Sequence, residues 1–574
     1  MIRIRHIMAL ILALAAAGCS APDDDFHMPV FPAEKTAAEF PGITVPLQEG
    51  GPTRSAAADG PVWLIGVDGI TWDMLQPMID RGELPNFAAL AVEGTRGVLL
   101  SEEPTISPAL WATISTGMPR FEHGVVNFLV KLPGSYDAAE SGPPDRRSPA
   151  VWELAGAAGL RSTVINWFGS FPAEAIDGYY VSKGFDPENP GPGQVHPAGF
   201  SETLKDEAVV RMPGQLAQEI SRSKFLQDTL VDDARAMAVL RVIAGREITP
   251  CTAIYFSGTD VAQHITWRHM DPASQQFPQD GSPDPRRAGV IKAYYRLIDH
   301  FLGEIRELAP DDATLVIVSD HGGGPVQPGE AYHFRLEVLL RALGLMKDGG
   351  GGEAFAIDEM YRHDKRIWLE LAGVELAGII RADEARDKTE EVCRRLESLR
   401  TDDKQPLFES VVNHTLEQGW VPGEPAATVR FSPEALFTEK VWEGDQGYNF
   451  VQVRMRHSDI SGAHRLEGVV ILNGPDIRPA ALDDPATIYQ IAPTLLYLLG
   501  LPQDGRMVAL APLRGGVLEE AITPDRLGRQ PIRMIPEYPG TDRSALLRSI
   551  SNPSAPDPSR EREMEKLRSL GYIQ

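Results

Sequence analysis

Four short stretches place ionisable residues where an apolar run stops. In DATLVIVSDHGGG, residues 315–318 are apolar on both faces, and Asp320 and His321 follow, with Gly322 to Gly324 behind them. In VWLIGVDGITWDML, Asp68 stands directly after Val67. CTAIYFSGTDVAQH runs through an apolar 252–256 into Asp260 and His264, which lie four apart and would share one face of a helical turn. In RHSDISGAHRLEGVVILNGPDI, His464 precedes a fourth apolar run over 468–472, and His457 is a rival close by. Taken singly, each aspartate is as well explained as a helix cap, and the Asp/His pair as a solvated helix face. Together, three carboxylates and three imidazoles at the borders of apolar runs are better explained as a ligand set. Mixed Asp/His ligation suits zinc best, with manganese the alternative, and six ligands are enough for two ions.

Such a centre also needs a reacting group. SEEPTISPALWATISTG offers two hydroxyls, Thr105 and Ser107, on a loop after a strand expected over 96–100. Pro108 predicts a helix opening there with Ser107 as its N-cap, the commonest duty of a serine in that place. The same geometry suits catalysis. A hydroxyl at a helix N-terminus sits where backbone N–H groups and the helix dipole favour an anion, and beside a divalent cation it readily becomes an alkoxide nucleophile.

The elements that must position these residues alternate strand and helix. That order predicts an α/β fold, a mainly parallel sheet sandwiched by helices, with ligands gathered beyond the carboxyl ends of the strands. The chain of 574 residues is long enough for more than one domain. We expect a core in two parts, 61–324 and 457–515, interrupted by an inserted cap region over 325–456 that carries the glycine run DGGGGE and a helix near 382–399. A smaller cover is expected within 175–250, through a helix over 224–244. Residues 516–574 read as a linker and a short charged helix.

At the front, Arg3 and Arg5 precede an apolar run over 7–17 that is short for a membrane span, so 1–18 reads as a signal peptide. Ala16-Ala17-Gly18-Cys19 resembles the bacterial lipobox, which predicts a lipidated Cys19, a membrane-anchored tether over 19–60 and a cell-envelope lipoprotein, at the periplasmic face of the outer membrane or the exterior. Cys251 and Cys393 alone would remain, too few for a disulfide framework. The net charge of −25, with no basic run, argues against a sequence-independent grip on nucleic acid. An anionic substrate would have to be drawn in by metal ions or local dipoles.

From about Pro61 to Asp504 the sequence resembles the alkaline phosphatase superfamily, in its type I phosphodiesterase/nucleotide pyrophosphatase branch. The landmarks stand in family order: VDG at 67, ISPALWATISTG at 106, D-x-x-x-H at Asp260 and His264, SDHG at 319 and GAHRLEGVVIL at 462. INWFGSFPAE (165–174) and TIYQIAPTLLYLLGLP (487–502) are similar to stretches flanking the site in that family. The resemblance implies an alkaline phosphatase-like fold with two metal positions, one held by Asp68, Ser107, Asp320 and His321, the other by Asp260, His264 and His464. Counting back from Gly117, it makes Ser107 rather than Thr105 the nucleophile, and HGVVNF points to Asn127 as a phosphoryl-oxygen ligand. It further implies a small phosphoester or nucleotide-like substrate and a phosphoseryl intermediate. Relatives often read T-F-P-N where this chain has Ser107-Pro108-Ala109-Leu110, which leaves diester and monoester substrates both open. A phosphotransferase of the same fold and a non-catalytic envelope lipoprotein are the alternatives. A sulfatase is disfavoured, because Ser107 lacks the C/S-x-P-x-R pattern.

Overall fold

The computed structural model describes residues 54–55 and 60–538, apart from 132–137, 222–223, 272–283, 285, 328–331, 347–354, 359–363, 372–378, 417–425, 452 and 457–460. Expectations for Cys19, the tether, His457 and the terminal charged helix lie outside the described residues.

The apolar runs that end in ionisable residues form the centre of one large sheet. Val62–Val67 pairs in parallel with Cys251–Phe256 on one side and Thr314–Val318 on the other, and Ser162–Ile165 and Gly178–Val181 extend the parallel set. Glu467–Asn473 joins the Thr314–Val318 edge antiparallel, and Thr95–Leu100 pairs antiparallel with it in turn. Alternation along the strands explains their continuous apolar character. Trp63, Ile65 and Val67 enter one core, Val62 and Leu64 the other. Leu315 and Ile317 divide from Val316 and Val318 in the same way. Burying each such side chain contributes roughly 1.5–3 kcal/mol. The sheet is therefore mostly parallel and covered by helices on both faces, as expected.

Register levels the strand ends. Gly66 lies opposite both Tyr255 and Val318, so Asp68, the turn before Asp260, and Asp320 all emerge at one edge. The Gly258–Met270 helix carries Asp260 and His264, and the buried Ser107–Thr116 helix begins beside that edge. The glycines after His321 form a short strand, Gly322–Pro325, paired antiparallel with Gly462–Arg465 so that Gly323 faces His464. Glycine is required there for close approach: a Cβ at Gly323 would sit 2.2 Å from Gln263 Oε1, and one at Gly322 would sit 2.1 Å from the Glu467 carbonyl oxygen.

Three local expectations need correction. The helix begins one residue early, with Ile106 at the N-cap and Ser107 as its first residue, because the fixed φ of proline fits the second helical position as well as the first. His464 does not merely precede a strand; it sits on Gly462–Arg465. The linker expected from 516 is packed as far as Tyr538. Val517, Leu518, Ala521, Ile522, Ile535 and Tyr538 are buried in a core of the main body, and Met534–Ile535 pairs with Gln503–Asp504. Their apolar side chains are spread among prolines and arginines, so no periodicity marks them in the sequence.

Between Phe334 and Val453 a separate apolar core forms around four antiparallel strands and the Ala385–Ser398 helix. Arg430 on that sheet lies 3.9 Å from Glu103, which brings the inserted segment against the loop leading to Ser107.

Candidate active site

The six ligand candidates and Ser107 converge. Two groups of donors lie close enough to share an ion, Asp68 with Asp320 and His321, and Asp260 with His321 and His464. His321 Nε2 stands 3.4 Å from Asp68 Oδ1, 3.5 Å from Asp320 Oδ2 and 3.4 Å from Ser107 Oγ. Asp260 Oδ1 is 3.2 Å from His264 Nε2 and 3.6 Å from His464 Nε2, and those two nitrogens are 2.9 Å apart. The His321 and His464 rings stack at 3.6 Å. His321 thus stands between the two positions, whereas the family pattern assigned it to one.

Hydrogen bonds at the far side of each ring fix which nitrogen faces the centre. Nδ1 of His264 meets the Gly462 carbonyl at 2.8 Å, Nδ1 of His321 the Gly322 carbonyl at 3.0 Å, and Nδ1 of His464 the Thr105 carbonyl at 2.9 Å. A carbonyl oxygen only accepts, so each Nδ1 carries the proton, and in the neutral ring Nε2 offers a lone pair inward. Two such lone pairs, 2.9 Å apart beside a carboxylate oxygen, need a cation between them. Ligand bonds of about 2.0–2.2 Å place neighbouring ligand atoms of a tetrahedral ion about 3.3–3.6 Å apart, close to the spacing found. Asp68 Oδ1 and both Asp320 oxygens are buried and receive no hydrogen bond from the described residues. The donor set fits divalent metal.

Electrostatics agree with the geometry. Burial, and then the Asp68 charge, push Asp320 well above the usual carboxylate range; burial, and then Asp260, raise Asp68. Burial would raise Asp260 as well, but the adjoining His264 brings it below the ordinary value. Burial, and then His321, hold His464 well below the usual imidazole range, so its ring stays neutral and able to ligate.

Ser107 does not cap its helix; its Oγ points toward His321. Thr105 is tied to His464 through its carbonyl and its Oγ1, the latter at 3.2 Å. Asn127 is buried, and its Oδ1 accepts the Phe128 N–H at 2.8 Å. Phe128 packs with Ile106 and Ala109 on either side of Ser107, but Asn127 is outside the ligand groups themselves. Sequence reasoning missed the residues that hold the ligands. Tyr255 Oη and Trp111 Nε1 both donate to Asp68 Oδ2, at 2.6 and 3.3 Å. Asp233 accepts the Ser257 and Gly258 N–H groups at the start of the Asp260 helix, each at 3.0 Å. Only the i+4 spacing of Trp111 from Ser107 hinted at any of them.

The type I phosphodiesterase/nucleotide pyrophosphatase family model matches residues 62–434. No curated protein matches by sequence. Among similar solved structures, an inactive form of murine ectonucleotide pyrophosphatase/phosphodiesterase 5 in complex with AMP is 13% identical over 81% of this chain and 100% of that chain, with a TM-score of 0.45. Phosphonoacetate hydrolase from Sinorhizobium meliloti in complex with phosphonoformate is 14% identical over 79% of this chain and 99% of that chain, with a TM-score of 0.47.

Proposed function

The chain belongs to the type I phosphodiesterase/nucleotide pyrophosphatase family, within the alkaline phosphatase superfamily, and from that premise we propose a two-metal phosphoester hydrolase acting through a phosphoseryl enzyme. The observation that carries this reading is the convergence of three inward Nε2 atoms and the Asp68, Asp260 and Asp320 carboxylates beside Ser107 Oγ. Asp68, Asp320, His321 and Ser107 would hold one ion, and Asp260, His264 and His464 the other, with His321 adjoining both. Divalent ions held there, zinc by the donor set, would supply Lewis-acid charge to phosphoryl oxygens and favour the ionised serine.

The chain's own residues do the rest. Ser107 Oγ attacks phosphorus in line, so that the Oγ–P bond forms as the bond to the leaving oxygen breaks; water then cleaves the phosphoseryl ester. The helix N-terminus at Ser107 favours the anionic phosphoryl group. Asn127 is proposed to steady one phosphoryl oxygen. The substrate class is a small phosphoester, nucleotide-like compounds included. A panel of aryl mono- and diesters, run on zinc-loaded protein with and without an added alcohol acceptor, tests the proposal and separates hydrolysis from transfer. No metal-dependent turnover of any ester would refute it.

The envelope location is proposed from sequence alone. Mass spectrometry of the N-terminal peptide should show a lipidated Cys19, and an unmodified Cys19 would overturn that. Among the described residues, no helix is long and apolar enough to cross a membrane.

A further inference from the structure

Asp68 has one carboxylate oxygen committed and one bare. Its Oδ2 accepts two hydrogen bonds, from Tyr255 Oη at 2.6 Å and Trp111 Nε1 at 3.3 Å. Its main-chain carbonyl accepts a third, from Thr259 Oγ1. Oδ1 receives none from the described residues and faces His321 Nε2.

Neither donor has room to move. Tyr255 and Trp111 are fully buried and meet edge to face at 5.0 Å. Phe168 closes on the tyrosine ring at 5.8 Å and Trp167 on the tryptophan at 5.2 Å. The Trp111 ring also fills the space over Gly66, where a Cβ would lie 2.7 Å from it. The ring of Tyr255 is accounted for by this packing, which phenylalanine would satisfy equally; its hydroxyl is not.

We propose that Tyr255 is a positioning residue which, with Trp111, occupies Oδ2 and presents Asp68 as a one-oxygen ligand, setting the affinity of the Asp68–Asp320–His321 position apart from that of the Asp260–His264–His464 position. This rests on the two-metal reading above. A carboxylate free to swing can offer both oxygens to an ion and take up a coordination place that a phosphoryl oxygen needs. Two hydrogen bonds to Oδ2 prevent that swing and keep the bare oxygen aimed inward. Outer partners of this kind typically alter metal affinity by about 10–100-fold when removed.

The test is Tyr255→Phe in the full chain, stripped of metal and titrated with Co²⁺ and with Zn²⁺ against a chelator of known affinity, with visible absorption following each Co²⁺ bound. Wild type should bind two ions per chain. In Tyr255→Phe one ion should bind about 10–100-fold more weakly, with the second unchanged and the melting temperature of the metal-free protein within a few degrees of wild type. Trp111→Phe should weaken the same ion. Two ions bound by the variant with wild-type affinities would overturn the inference and leave the two-metal reading standing. Equal weakening of both ions together with a lowered melting temperature would also overturn it, as a structural role. A wild type that binds no ion would overturn both.

Discussion

His123 should make the protein acid-labile in a way that can be traced to one ring. It is fully buried at the end of the Arg120–His123 helix. Nδ1 accepts the Val125 N–H at 3.1 Å, so the proton is on Nε2, which donates to Thr113 Oγ1 at 3.1 Å. A second proton could be added only by breaking the Val125 bond, in a place already surrounded by Arg120, Arg146 and Arg147. Burial, and then those arginines with Arg120 foremost, bring the pKa from 6.5 to about 3. The unfolded chain therefore takes up a proton below about pH 6.5 that the folded chain refuses until about pH 3. The contribution is fully present above that upper value and is lost as pH falls through the interval, at about 1.4 kcal/mol per pH unit. Between about pH 7 and about pH 4.5 the loss from this residue is about 2–3 kcal/mol. Glutamine at 123 keeps an acceptor for Val125 and a donor for Thr113 without a titrating group. Urea unfolding of metal-free wild type and His123→Gln at the two pH values isolates the effect, because every other titration is shared. Wild type should lose about 2–3 kcal/mol more than the variant over this interval. Parallel losses in the two proteins would refute the reasoning.

The remaining expectations concern the centre and its support. Ser107→Ala should lower turnover by about 10⁴-fold or more with metal content retained, and acid-trapped phosphate should map to Ser107; phosphate on Thr105 would reverse the assignment. Thr105→Ala should keep most activity in the same assay, because the main-chain carbonyl at 2.9 Å still holds His464 Nδ1. His264→Ala and His464→Ala should each leave about one ion per chain by elemental analysis, with the same position emptied in both; loss of different ions would break the grouping. Gly258→Ala would place a Cβ 1.8 Å from Tyr294 Oη, which is itself bonded to Asp233. We expect about 1–3 kcal/mol of destabilisation by chemical unfolding, and wild-type stability would show that the Asp260 helix can shift.

Much of the centre was legible because its residues follow strands buried on both faces. Runs such as Leu315 to Val318 leave few alternatives to a central parallel strand, and register then brings Asp68, Asp260 and Asp320 to one edge. His464 was singled out because it precedes the apolar run over 468–472, not by its own element. The GAHR strand is held by pairing with a glycine strand far away in sequence, and has no apolar alternation of its own. Ser107 read equally well as a cap, since the stretch does not reveal whether Oγ bonds its own helix or faces His321. Tyr255 and Trp111 looked like core residues, and by area they are. Which polar tip meets Asp68 depends on how a strand and a helix pack together, and no local pattern encodes that. The packed residues after 516 were missed for a related reason: they add to a core already formed, singly rather than as a periodic face.

The pairing of Gly322–Pro325 with Gly462–Arg465 has a topological meaning. The segment between these strands leaves and re-enters the core through one hydrogen-bonded ribbon, with Pro325 opposite Gly462 and the Val326 N–H bonded to the Ser461 carbonyl. Its two ends are fixed side by side whatever lies between them. Loop-closure entropy grows only logarithmically, by about 0.6 kcal/mol for each doubling of length, so the inserted segment can lengthen, shorten or be exchanged with little effect on the ribbon. The same ribbon holds His464 opposite Gly323, two residues beyond His321. The segment between the two strands can thus change while the ribbon itself keeps His464 and His321 at a fixed spacing.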